Sequence, residues 1–495
     1  MVHYISEKQL SIFDFKTPFN VELLADNRWV VMSKDVPWDV FANHYISLMD
    51  ATHGRPGISP RIVLGALIIK HSENLSDRKV IETIQENVYM QFFVGLKGFQ
   101  IEPIFDSSLF VTIRNRLGKE VFDKLNESLI KTYSSKADKR NSSKKDKEED
   151  TPPNKGKLQA DATVADQYIT FPTDPKILNS SRKQLDKMID ILYKKGGKSI
   201  VKPRTYRRII DRKFLNYSKK KRKNKGAHRK MKRKLLESVN RNINFVENLL
   251  PDPLKLYMGE KYPFSKKEME LFNTIKEAYE QQQKMYNENT NTCPNRIVSI
   301  YQPHVRPILR GKQNARVEFG SKLGVSLDNG FTTLETLSWN AYHEGKDLKL
   351  HVSSYYDLHG YFPELVQVDK AYSTNENRKW LKERNIRITA PALGRKPKIK
   401  LTQYQKTKHK KEAAERNHIE GKFGQGKNGY NLNKIRAKLK KTSESWISCI
   451  FFIMNLKNYR KKSSCALFFK RILQEIKHFT MNLKIQADFK RLYSI

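Results

Sequence analysis

Three acidic residues stand out by position along the 495-residue chain: Asp161, Asp369 and Glu420. Asp161 closes a short strand-like stretch at 157–161, Asp369 closes an apolar one at 365–369, and Glu420 lies within a long charged stretch at 402–428. Three carboxylates brought to one point suit hard divalent cations such as Mg2+, which prefer oxygen ligands. Two such ions, held about 3.5–4 Å apart, activate an attacking hydroxyl and stabilise the leaving oxygen in line with it. One carboxylate can bridge both ions while each of the others holds one side. Residue type alone leaves rivals, because the chain has 52 acids and Asp166, Asp174, Glu318, Asp328, Asp357 and Glu415 offer the same chemistry. An Asp at a strand end is also a common turn or helix cap.

The elements that must position these acids follow from sequence pattern. Residues 1–130 read as helical: Ser59 caps a helix whose first turn holds Pro60, and a second helix over 78–87 carries Val80, Ile81 and Ile84 on one face. This helix–turn–helix, with Lys70, Arg78 and Lys79 near the break, fits a DNA-reading module and equally an ordinary bundle. Residues 131–156 are polar, contain Pro152-Pro153 and read as a linker. A strand over 157–161 runs into Ala162-Thr163-Val164, and 176–290 is mostly helical. Strands over 317–326 and 331–338 flank the turn Leu327-Asp328-Asn329-Gly330. A mixed segment at 345–359 could be a helix. A strand over 365–369, a helix over 373–384 capped by Ser373, a strand over 386–390, a helix over 402–428 carrying Glu420 and an apolar helix over 446–456 complete the chain.

That order is the one by which an RNase H-like sheet gathers three distant carboxylates at one edge. The expected fold is therefore α/β: an RNase H-like mixed sheet flanked by helices over 157–460, an N-terminal all-α DNA-binding domain over 1–130, a largely helical basic insertion at about 176–310, and a basic tail over 461–495. The 208 residues between Asp161 and Asp369 exceed what a minimal sheet of this kind needs.

Charge points to a polyphosphate partner. The chain has 94 Lys and Arg against 52 Asp and Glu, a net +42. Residues 202–234 hold seventeen Lys or Arg and one Asp, 395–411 hold eight and no acid, and 421–441 hold seven and no acid, so about three-quarters of the excess lies in three runs. Each phosphate neutralised releases a condensed counterion, which is the basis of binding to nucleic acid. An anionic membrane surface is the competing partner, but the runs lack the Trp/Leu-faced pattern of an interfacial helix. The longest apolar stretch, 446–456, is too short to span a bilayer. Cys293, Cys449 and Cys465 are too few and scattered for a disulfide framework or zinc finger. No signal peptide and no Walker-type phosphate loop is seen, so the expectation is a cytoplasmic, nucleoid-associated protein without need of ATP.

Around the three acids the sequence resembles the DDE transposases of bacterial insertion sequences. The first acid lies in Asp161-Ala162-Thr163, followed by Phe171-Pro172-Thr173-Asp174; Glu318-Phe319-Gly320-Ser321-Lys322 matches the family's paired-strand motif. The second acid lies in Asp369-Lys370-Ala371-Tyr372, with Ala where the family has Gly, and Arg416, Glu420 and Lys427 meet the Arg-x3-Glu-x6-Lys pattern, with Ala413 where a Tyr is often found. The segment 54–70 resembles the family's first domain. The resemblance covers about 50–130, 157–175 and 310–460.

It implies that Asp161, Asp369 and Glu420 bind two Mg2+, for which Mn2+ can substitute, and that the protein nicks double-stranded DNA at an element's terminal inverted repeats and joins the freed 3′-hydroxyl to target DNA. Arg416, Lys427, Lys322 and Tyr372 are the expected DNA contacts, with Tyr372 equally suited to packing under the sheet. A homodimer on paired ends is implied by the same resemblance. Two alternatives stay open: a catalytically inactive relic that only binds element ends, and a related metal-dependent nuclease that cuts without specific ends.

Overall fold

The computed structural model of the protein describes residues 14–18, 22–49, 57–141, 154–195, 201–251, 263–309, 317–391, 394 and 402–462. The tail expected over 461–495, apart from its first two residues, lies outside them, as do 142–153 of the expected linker and 395–401 of the second basic run.

The sheet is built around β1 (Lys157–Asp166), nearly all of whose residues are buried or half-buried. Burial along almost the whole strand suits the middle of a sheet covered on both faces. Its neighbours are β3 (Val317–Asp328), antiparallel, and β5 (Leu365–Gln367), parallel. The strand order is β2-β3-β1-β5-β6, with β2 (Arg306–Leu309) and β4 (Phe331–Ser338) sharing the far edge of β3, and β6 (Arg387–Ile388) parallel to β5. The β3–β4 hairpin turns at Asn329-Gly330, both at positive φ (47° and 78°), as the sequence predicts. Gly320 has a steric reason: a Cβ there would lie 1.9 Å from the Ala165 carbonyl oxygen on β1.

Alternation along the strands divides the core in two. One face carries Leu158, Ala160, Val366 and Val368 against Leu348, Val352 and Tyr355 of α11 (Leu348–His359) and Leu381 of α12 (Asn375–Glu383). The other face, with Ala165, Leu323, Val325 and Leu327, meets Ile419 and Phe423 of α14 (Asn417–Gly429), the long helix α15 (440–462) and the amino-terminal helices. Those are α1 (Arg28–Asp35), α2 (Trp38–Ile46), α3 (Pro60–Ser72), α4 (Asp77–Glu86), α5 (Val88–Phe93) and α6 (Leu109–Asn141).

The apolar helix expected over 446–456 is thus a buried part of α15, with Ile447, Ile450 and Ile453 fully buried. A polar clasp ties three distant parts of the chain. Asn455 on α15 accepts from the Thr332 N–H (2.8 Å) and donates to the Thr332 carbonyl and to Asn126 Oδ1 on α6 (both 2.6 Å).

Between β1 and β2 lies the helical insertion: α7 (Asp174–Lys195), α8 (Arg207–Lys219), α9 (Lys225–Leu249) and α10 (Lys266–Asn287). It has its own core, including Leu185, Ile189, Leu235, Val239, Phe272 and Ile275. At its base, buried Asp174 accepts from Lys232 (2.9 Å), Arg296 (2.7 Å) and Gln282 (3.2 Å), tying α7 to α9, α10 and the chain that leaves α10. None of the described helices is long and apolar enough to cross a membrane.

Three expectations change. The helix α6 runs to Asn141, so the first eleven residues of the expected linker at 131–156 are helical, with an interruption at Gly118. The single helix expected over 402–428 is two, α13 (Gln403–Glu415) and α14, parted at Arg416, where the Ile419 N–H bonds to the Arg416 carbonyl in a tightened turn. Lys70, expected near a DNA-reading turn, is buried: its ammonium lies 3.4 Å from Asp77 and 3.7 Å from the centre of the Trp446 ring, so it joins α3 to α15 instead.

Candidate metal centre

Asp161 and Asp369 meet because β1 and β5 are adjacent and parallel. Lys157, Leu158 and Gln159 pair with Leu365, Val366 and Gln367, and the same register carried two residues further sets Asp161 beside Asp369. Asp161 Oδ1 accepts from the Ala162 N–H at 2.8 Å. Asp369 Oδ1 accepts from the Ala371 N–H at 2.8 Å and so caps the 3-10 turn Lys370–Tyr372 that follows it. Each aspartate is fixed by its own backbone, which limits the rotamer entropy lost on binding a cation.

A third carboxylate joins them, and it is not the expected one. Glu344 opens the 3-10 turn Glu344–Asp347 ahead of α11, and its ligand oxygen lies with those of Asp161 and Asp369 in a group whose members are all within 4.8 Å of one another. Burial pushes the Asp161 carboxyl up to about 6; Asp369 and Glu344 add repulsion, while the Ala162 N–H and Arg416 oppose the rise. Three hard oxygen donors this close fit a divalent cation by donor chemistry.

Glu420 sits in the first turn of α14 with its side chain 56% exposed. It stands outside the three-carboxylate group and is linked to it through Arg416, which lies 3.1 Å from Glu420 Oε1 and 3.6 Å from Asp161 Oδ2. Arg416 therefore sits between two acids rather than on an open surface. His418 is exposed.

The other expected DNA contacts occupy different places. Lys322 Nζ is 2.8 Å from Glu344 Oε1 and donates to the Tyr342 carbonyl at 2.8 Å, with its side chain only 14% exposed. Lys427 Nζ is 3.6 Å from Glu318 Oε1, both side chains largely covered. The two charged ends of the 318–322 motif thus brace the site, Glu318 towards α14 and Lys322 towards Glu344. Tyr372 is fully buried beside His351, and burial raises its phenol well above the ordinary range. Its ring offers no surface to a duplex, so the DNA contact expected of Tyr372 gives way to the other reading, packing under the sheet. Sequence reasoning missed Glu344, whose only local signal is an acid opening the helical segment read at 345–359.

Residues 366–457 match the family described as the transposase DDE domain, and residues 19–116 match the transposase domain DUF772. The first span holds Asp369 and Glu420; Asp161 and Glu344 lie outside both. An uncharacterized protein, ORF8 in the nfe locus of Rhizobium meliloti, is 28% identical over 142 residues, 29% of this chain. The chain spans 63% of the length of that relative. No solved structure matches. Two transposase families, matched on either side of the helical insertion, support an insertion-sequence DDE transposase as the family of this chain.

Proposed function

We propose that the protein is a DNA transposase that cleaves the ends of an insertion sequence and joins them to target DNA, with Asp161, Asp369 and Glu420 as its catalytic acids on an RNase H-like sheet. The observation that carries this reading is the meeting of Asp161, midway along β1, with Asp369, just past the end of the adjacent parallel strand β5, in a chain whose 366–457 segment matches a transposase DDE domain. Divalent cations, Mg2+ with Mn2+ as substitute, supply Lewis acidity to the attacking and leaving oxygens of a phosphodiester when bound. The chain's own part is to hold the acids. Backbone N–H groups fix both aspartates, and Arg416 draws Glu420 and Asp161 together against their mutual repulsion. Glu420 stands in the first turn of α14, where the helix dipole favours its charge.

The DNA itself would run along the basic surface of the insertion. On α8, α9 and the segment joining them, Arg208, Arg212, Lys213, Lys221 and Lys230 are exposed and have no acidic partner among the described residues. Lys213 crowds Lys234 enough to lower the pKa of Lys234. Uncompensated cations at this density favour a polyanion. We further propose the division of labour expected from sequence: a DNA-binding amino-terminal domain, the sheet as catalytic domain, the insertion as clamp, and a homodimer pairing two inverted repeats.

The deciding assay is cleavage of end-containing duplex DNA with Mg2+. The unaltered protein is expected to nick at the element's end, and Asp369→Ala to lose cleavage while keeping DNA affinity. Binding without cleavage under every divalent ion tried would favour the inactive relic. Equal cutting of DNA lacking the ends would favour a general metal nuclease.

A further inference from the structure

Glu344 has no place in the expected acid trio, yet its surroundings hold it at the site from several directions. From β3, Lys322 reaches both its carboxylate (2.8 Å) and the carbonyl of Tyr342 just before the turn (2.8 Å). From the opposite side, the turn carrying Glu344 is pressed onto the turn capped by Asp369. Gly345 packs so closely there that a Cβ would lie 2.7 Å from the Ala371 carbonyl oxygen. Buried Asn377 then stitches the two turns, its Nδ2 donating to the Gly345 carbonyl at 2.7 Å and to the Tyr372 carbonyl at 2.9 Å. The His343 ring accepts from the Gly345 N–H at 3.2 Å and orders the start of the turn. Mutually repelling carboxylates are gathered here by rigid, specific contacts, whereas Glu420 lies more than half exposed against Arg416.

We propose that Glu344 is a direct ligand of a divalent cation, completing with Asp161 and Asp369 a three-carboxylate site, and that Lys322 is the residue that positions it. The inference rests on the proposed metal-dependent function and adds a fourth acid to it. Glu420 then serves at the periphery of this first ion, on the Arg416 side. The donor chemistry is consistent: all three groups are carboxylates and no soft ligand joins them among the described residues, which suits Mg2+ or Mn2+ rather than Zn2+.

The test is Mn2+ titration of the full chain, read as loss of the free-ion signal in electron paramagnetic resonance, with DNA absent so that cleavage plays no part. Glu344→Gln is expected to weaken the tightest Mn2+ site about tenfold or more, a loss of the size seen when metal-site contacts are removed. Glu344→Asp, which keeps the charge on a shorter stem, should fall between Glu344→Gln and the unaltered protein. Glu420→Gln should change that site by less than about threefold. Circular dichroism checks the fold of each variant, and if Glu344→Gln does not fold, Glu344→Asp decides. If Glu344→Gln binds Mn2+ as the unaltered protein does while Asp369→Asn does not, Glu344 is not a ligand and the proposed function stands without it. If Asp161→Asn and Asp369→Asn also bind Mn2+ unchanged, the metal-dependent reading falls, and the role of Glu344 with it.

Discussion

Glu335 on β4 offers a quantitative test of how the sheet and α11 are packed. It lines a cleft between α6, β3, β4 and α11 near Ser354 and Ser326, and burial pushes its carboxyl up from 4.5 to about 7. An acid whose folded pKa is raised costs stability where it is charged in both states. The cost is absent below the unfolded pKa, grows between 4.5 and 7, and is complete above 7. A gap of about 2.5 pH units at about 1.36 kcal/mol each gives about 3.4 kcal/mol at pH 9, and about 0.8 kcal/mol at pH 5. Glu335→Gln keeps the shape but carries no charge. It should therefore stabilise the protein by about 3 kcal/mol at pH 9 and by under about 1 kcal/mol at pH 5. Urea denaturation at both pH values, followed by tryptophan fluorescence in the absence of DNA and metal, measures this. Equal stabilisation at the two pH values, or destabilisation at pH 9, would refute the placement of this carboxyl in a desolvated cleft.

Three further outcomes are expected. Gly320→Ala places a methyl group where the Ala165 carbonyl stands, so β3 must leave β1 and the loss should reach about 3 kcal/mol or more, with weakened Mn2+ binding; a change under about 1 kcal/mol would contradict the strand spacing described. Asp174→Asn leaves Lys232 and Arg296 without their anion, and a buried pair broken on one side costs about 3–5 kcal/mol. Limited proteolysis should then cut the insertion faster while Mn2+ binding stays unchanged; unchanged proteolysis refutes the staple. Replacing Arg212, Lys213, Lys221 and Lys230 together by Gln should lower the slope of log affinity for duplex DNA against log salt by up to about 3.6, at about 0.9 per phosphate. An unaltered slope moves the DNA path away from α8 and α9.

Much of the sheet was readable in the residues because its signals are local. The Asn329-Gly330 hairpin, the strands that carry Asp161 and lead to Asp369, and the helix start at Pro60 each depend on a few neighbouring side chains, although β1 runs five residues past the end expected at Asp161 and Ser59 makes no side-chain cap bond. What escaped was set by distant partners. Glu344 is brought to the aspartates by Lys322 and Asn377, residues 22 and 33 positions away, in a turn too short to leave a periodic trace. Lys322 and Lys427, expected as DNA contacts from the family resemblance, each have a glutamate beside them that the sequence does not reveal. Lys70, near the break between two helices that fit a DNA-reading module or an ordinary bundle, is buried because Asp77 and Trp446 supply the charge and the ring that allow it. The segment 402–428 carries no proline or glycine near Arg416, and the break of the helix there shows only when the flanking acids are in place.

The apolar cluster that unites α1–α6 with β3, β4 and α15 has a consequence for synthesis on the ribosome. The helices made first find their closing partner, α15, only after more than three hundred further residues have been added. Until then Phe41 and Phe122 lack part of their cover, since both lie against Phe452. Contacts of such long sequence separation form late and slowly. A nascent chain halted before 440 would expose this surface to chaperones or proteases, and only a chain translated through α15 could seal it.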